Sequence, residues 1–169
     1  NEKGILTQTR EFEMGDLHGE VRFFAEDNGK LQVIRYYNYA TLIGYSFMDK
    51  AGKIKPMIPI KNETAKIEAF YDNGKPSRVM DIKNGNFENA YLEYYYTGQI
   101  QEDQVYELNE RKGKFKSYHT NGKVKVEANY LMGKEDGEYK EYYSNGKLKE
   151  ISTYSNGDLN GVRKYYNTA

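Results

Sequence analysis

Apolar and polar residues alternate along most of the chain in short runs, rich in tyrosine and β-branched residues, that are cut at regular intervals by glycine. Alternation with a period of two predicts half-buried β-strands. The glycines set the rhythm. Gly29, Gly52, Gly74, Gly98, Gly122 and Gly146 follow one another at intervals of 23, 22, 24, 24 and 24 residues, a self-similarity that marks a repeat architecture. Other columns keep the same beat. Two residues after each ladder glycine stand Leu31, Ile54, Pro76, Ile100, Val124 and Leu148, and four residues before it Phe70, Tyr94, Tyr118 and Tyr142.

Asn-Gly occupies four of the ladder positions, 28–29, 73–74, 121–122 and 145–146. That pair favours the two positive φ values of a type I′ turn, so each unit reads as a β-hairpin. A second short connection closes its far end, as in Gly157-Asp158-Leu159-Asn160-Gly161. The expected fold is all-β: an elongated single-layer antiparallel meander, twisted and curved, of about seven hairpin repeats with a period of about 23 residues. The units fall near 1–19, 20–43, 44–65, 66–89, 90–112, 113–136 and 137–160, with a partial unit at 161–169; the one from Gly44 to Ala65 diverges most. About fourteen strands at roughly 4.8 Å each give a ribbon on the order of 65 Å long.

A two-residue Asn-Gly turn would set Tyr143 opposite Leu148 and Tyr95 opposite Ile100, with Tyr139 and Tyr154 on that same packed face. The other face then carries Phe70, Tyr94, Tyr118 and Tyr142, with Lys125 and Lys149 alongside. This aromatic stripe with basic neighbours is the candidate binding surface. The plainer reading is that both stripes only hold a thin sheet together.

Composition narrows the function. Lys plus Arg equals Asp plus Glu at 25 each, which removes the field that would draw the chain to nucleic acid. No apolar run is long enough for a membrane-spanning helix. There is no cysteine, and the two histidines, His18 and His119, lack a partner at ligand spacing and stand in repeat columns held elsewhere by Asn160 and tyrosine. Acidic pairs such as Glu102 with Asp103 and Glu135 with Asp136 read as solvated surface. Neither a catalytic residue, nor a metal site, nor a cofactor is expected. The chain opens on Asn1 rather than methionine, which fits either a removed export signal or a trimmed start, and export or the cell envelope is the favoured location.

The pattern G-x-Φ-K-x-Y-Y-x-N-G-K-Φ-K, with Φ apolar, is written out most fully from Gly137 to Lys149 and resembles the bacterial variant of the MORN repeat. The resemblance implies consecutive hairpins in a curved, extended sheet, in proteins described as antitoxin-like or as surface repeat proteins. It also implies scaffolding and self-association. Lipid binding, known for some eukaryotic members, does not carry over, because the Y-x-G-x-(W/F) core is missing. The expectation is therefore a non-catalytic protein-interaction or scaffolding module with a protein partner, and a homodimer through an open sheet edge. The alternatives are a glycan or cell-wall binding repeat, weakened by the absence of tryptophan, and an antitoxin that masks a partner toxin.

Overall fold

The computed structural model describes residues 4–168, so Asn1, which carries the export reading, and Ala169, where the final copy stops, lie outside the described residues. Among those residues the only regular elements are antiparallel β-strands and their turns. The hairpin meander is an all-β array, and it is not closed into a barrel. Two compact units form: one holds the residues up to Asn86 together with Tyr94–Gly98, the other Phe87–Glu93 together with the residues from Gln99 on.

In the first unit β1 (Gln8–Glu13), β2 (Asp16–Phe24), β3 (Leu31–Asn38), β4 (Thr41–Ser46) and β5 (Ile58–Pro59) form a five-stranded sheet in chain order. The hairpin of β6 (Ala65–Phe70) and β7 (Pro76–Lys83) belongs to a second sheet. One continuous ladder was expected. The interruption falls in the divergent copy, where Pro56 and Pro59 lack the N–H groups a paired strand must donate, and β5 is cut to two residues. The hairpin instead lies against β3, whose residues Leu31 to Arg35 are all buried. Val33, Ile34, Ile67, Tyr71 and Met80 form the core, and Ser77 Oγ donates to the Gln32 carbonyl while Arg78 donates twice to Gln32 Oε1.

In the second unit the body of β8 (Asn86–Tyr94), whose two end residues belong to the first unit, and β9 (Ile100–Glu107), β11 (Gly113–Tyr118), β12 (Val124–Leu131), β14 (Gly137–Tyr142) and β15 (Leu148–Ser155) carry the meander. Short pieces flank it: β10 (Glu110–Arg111), β13 (Lys134–Glu135), β16 (Asp158–Leu159) and β17 (Lys164–Tyr165). The rings of one face stack edge-on, Phe115 with Tyr130 at 5.8 Å and Tyr139 with Tyr154 at 6.0 Å, as expected for a packed side. The Arg111 guanidinium covers both Phe115 and Tyr130, at 5.2 and 5.3 Å from the ring centres.

The turns differ from the sequence reading in type and in place. At Gly146 the loop has three residues, closed by Tyr143 N–H to the Lys147 carbonyl and Gly146 N–H to the Tyr143 carbonyl. Gly146 has φ 89°, while Asn145 is not among the left-handed residues. This is a type I turn followed by a left-handed glycine, not the type I′ turn. The type I′ turns lie at the opposite end of each hairpin, where both central residues have positive φ: Met14-Gly15, Tyr39-Ala40, Asn62-Glu63, Asn84-Gly85, Leu108-Asn109, Met132-Gly133 and Asn156-Gly157.

The longer loop shifts the pairing. Tyr142 faces Leu148 and Glu141 faces Glu150, so Lys149 is skipped; Tyr118 faces Val124 and Ser117 faces Val126, so Lys125 is skipped. Gln32 and Ser77 are skipped in the same way in the first unit. The expected opposition of Tyr143 and Leu148 is thus replaced by that of Tyr142 and Leu148. The reason is a one-residue bulge, repeated at the third residue after the ladder glycine.

Candidate binding surfaces

The six ladder glycines, Gly29, Gly52, Gly74, Gly98, Gly122 and Gly146, all have φ between 71° and 89°, a region that side chains with a Cβ enter only at a cost. An asparagine precedes four of them, and at two it does two jobs. Asn121 Oδ1 accepts the Lys123 backbone N–H at 3.1 Å, and its Nδ2 donates to the Ser144 carbonyl in the next copy at 2.7 Å. Asn73 repeats both bonds, to Lys75 N–H and to the Tyr96 carbonyl. The lysine after the glycine reaches the next turn as well: Lys75 Nζ donates to the Thr97 carbonyl and Lys123 Nζ to the Asn145 carbonyl, each at 2.6 Å.

A third column runs parallel to this one. Tyr71 hydroxyl donates to the Tyr94 carbonyl at 2.6 Å and Tyr143 hydroxyl to the Tyr166 carbonyl at 2.9 Å. His119 Nε2 lies 2.9 Å from the Tyr142 carbonyl, so its ring takes the place of the tyrosine hydroxyl. The N-G-K motif and the aromatic before it are therefore fasteners between copies, each spanning 22 or 23 residues. Two successive copies from Arg111 to Asn156 show the whole arrangement, and the family model of the MORN repeat variant matches residues 111–131 and 135–156. Residues 111–156 carry two MORN-variant repeats. No curated protein matches it.

The hairpin copies place the expected stripe as follows. Phe70 stands at the surface of the first unit with its ring against Phe47, 5.5 Å between centres. Tyr94 lends its carbonyl to the Tyr71 hydroxyl. In the second unit Tyr118 and Tyr142 are half-buried, and the Tyr142 hydroxyl donates to Glu127 Oε2 at 3.0 Å. Lys125 is exposed, while Lys149 pairs with Glu141 at 2.8 Å. Both lysines are bulge residues, so neither stands opposite a stripe ring.

Beside Tyr142 the strands β11, β12 and β14 frame a shallow depression of about 250 Å³, lined by Lys114, Lys116, Glu127, Asn129, Glu138 and Lys140. Two of its lysines are already paired. Lys116 pairs with Glu127 at 2.8 Å, which holds that carboxyl below the usual carboxylate range and raises the lysine. Lys140 pairs with Glu138. A ligand for Lys116 or Lys140 would first have to break these pairs. On the packed side, burial pushes the Tyr139 hydroxyl up to about 12. Among the described residues no group of three His, Asp or Glu side chains is arranged to hold a metal ion.

One surface escaped the sequence reading. At the tips of the type I′ turns of the second unit, Leu108 (φ 50°) is 65% exposed and Met132 (φ 49°) is 76% exposed, while Asn156 (φ 53°) stands at the equivalent place in the next copy. Leu131 beside Met132 is exposed too, and the two tips are tied by Gly133 N–H to the Arg111 carbonyl. Asparagine suits a left-handed, solvated position and a large apolar side chain does not, at a cost of roughly 1–2 kcal/mol for the backbone alone. The signal was visible as the column Leu108, Met132, Asn156 at 24-residue spacing, but only for a turn placed at that end.

Proposed function

We propose that the chain is a non-catalytic protein-interaction module, and that the turn-tip ridge of the second unit, Leu108, Leu131 and Met132, is its docking edge. MORN repeats are generally associated with protein- and membrane-binding modules. The observation that carries the reading is the pair of left-handed, exposed apolar residues at positions where Asn156 shows that a better-suited residue fits. Strain kept at an exposed site without any gain in folding points to selection for contact with something else. The ridge is also open, in contrast to the depression on the sheet face, where Lys116 and Lys140 are already paired.

The test is the double variant Leu108→Asn with Met132→Asn. Its thermal midpoint should rise, because each change relieves backbone strain and removes exposed apolar surface. Proteins from source-cell lysate that bind the immobilised wild-type chain should be lost from the variant. An unchanged set of bound proteins, with the variant folded, would remove the ridge from consideration.

A further inference from the structure

Seven Asn-Gly pairs occur, at 28–29, 73–74, 84–85, 121–122, 145–146, 156–157 and 160–161. Asn-Gly is the dipeptide in which the following backbone nitrogen most readily attacks the side-chain amide, because glycine has no Cβ to hinder the approach. The reaction needs the amide to swing onto that nitrogen, and the nitrogen must be free to give up its proton. By sequence the seven are equivalent at the reacting atoms. The fold separates them.

At Asn28, Asn73, Asn121 and Asn145 the side-chain oxygen is held by the backbone N–H of the lysine two residues on, at 2.8–3.1 Å. The glycine N–H that would attack donates instead to a carbonyl of its own turn, at 2.8 Å in each case. At Asn84 and Asn156 the N–H of Gly85 and of Gly157 donates to the carbonyl of Glu63 and of Glu135 in the neighbouring copy, again at 2.8 Å. Asn160-Gly161 differs on every count. Among the described residues neither the Asn160 side chain nor the Gly161 N–H has a hydrogen-bond partner, both residues are exposed, and a Cβ on Gly161 would meet nothing within 4 Å.

We propose that Asn160-Gly161 is a site of spontaneous deamidation and isoaspartate formation. The Gly161 nitrogen bonds to Asn160 Cγ, the Cγ–Nδ2 bond breaks, and the amide leaves as ammonia with the proton the nitrogen gives up. Water then opens the five-membered imide at one of its two carbonyls. Opening at one restores an ordinary backbone with aspartate; opening at the other routes the main chain through the former side chain and adds a methylene to it. That added length falls between β16 and Arg163, whose guanidinium grips the buried Glu150 carboxylate at 2.7 and 2.9 Å. Conversion therefore loosens the contact by which the last strand is fastened to β15.

The experiment incubates the intact folded chain at mildly basic pH in isotopically heavy water, then digests it and quantifies label and isoaspartate at each asparagine by mass spectrometry. Asn160 should convert at least about tenfold faster than each of the other six, a difference of about 1.4 kcal/mol in barrier. In strong denaturant the rates should converge, since the hydrogen bonds that hold the six are gone. Another Asn-Gly pair converting as fast as Asn160 in the folded chain would overturn the assignment. So would a preference for Asn160 that survives in denaturant, because neighbouring sequence rather than the fold would then set it.

Discussion

Replacing Tyr71 by phenylalanine removes one oxygen from the fastening column between copies, and the effect can be worked from its surroundings. Tyr71 is 1% exposed; its hydroxyl donates to the Tyr94 carbonyl at 2.6 Å and accepts from Gln32 Nε2 at 3.2 Å. Gln32 and the Tyr71 ring are both buried, so losing the hydroxyl leaves Gln32 Nε2 with the longer contact to the Tyr94 carbonyl, at 3.5 Å. Leaving buried polar groups short of a partner costs about 1–3 kcal/mol. For a cooperative unit of about 90 residues, the size of the first unit, that lowers the thermal midpoint by roughly 4–8 °C per kcal/mol. Tyr143 makes the same bond, to the Tyr166 carbonyl, where the surroundings are exposed and solvent substitutes for the hydroxyl. Tyr143→Phe should therefore cost less than about 0.5 kcal/mol. Urea titrations of both variants followed by circular dichroism, with hydrogen exchange of the β6 and β7 amides, separate the two. Equal losses, or no loss at Tyr71, would refute the argument that burial rather than the bond itself decides the energy.

Asn121→Asp keeps the acceptor for Lys123 N–H but sets a carboxylate oxygen against the Ser144 carbonyl in place of a donor. It should lower stability by about 1 kcal/mol in urea titration, with faster hydrogen exchange in the 143–147 turn. Glu150, 3% exposed, is held below the usual carboxylate range by Arg163 and then by Ser152. A lowered folded value means that its stabilisation is complete above the unfolded-state value and fades as pH falls from there through the folded one. Thermal midpoints of Glu150→Gln should accordingly fall less steeply than wild type between about pH 5 and pH 3. A parallel decline in both proteins would show that the pair contributes nothing to acid sensitivity.

The period, the hairpins and the left-handed ladder glycines were legible because each depends on residues close in sequence. Gly29 through Gly146 recur at intervals that only stacked, equal copies produce. The turn type was not legible. Asn-Gly suits two geometries, and what selects the three-residue loop is the Asn side chain reaching Lys N–H on one side and the next copy's carbonyl on the other, a contact that exists only once copies stack. One added loop residue then produced the bulge at Gln32, Ser77, Lys125 and Lys149, and with it the pairing. The interrupted sheet could have been read from Pro56 and Pro59, whose missing donors fall where a ladder strand would need them. The tip ridge was hidden by the assumption that left-handed residue pairs sat at the other end.

Because the fastening bonds of Lys75, Asn121, Lys123 and Tyr143 each land on a carbonyl of the next copy, 22 or 23 residues on, the copies of the regular stretch are interchangeable at these bonds. Deletion or duplication of 24 residues anywhere within the regular stretch from Gly98 to Gly146 would rejoin like with like. A gene encoding such a chain can thus lengthen or shorten by recombination between copies, and the product at each step is still able to fold.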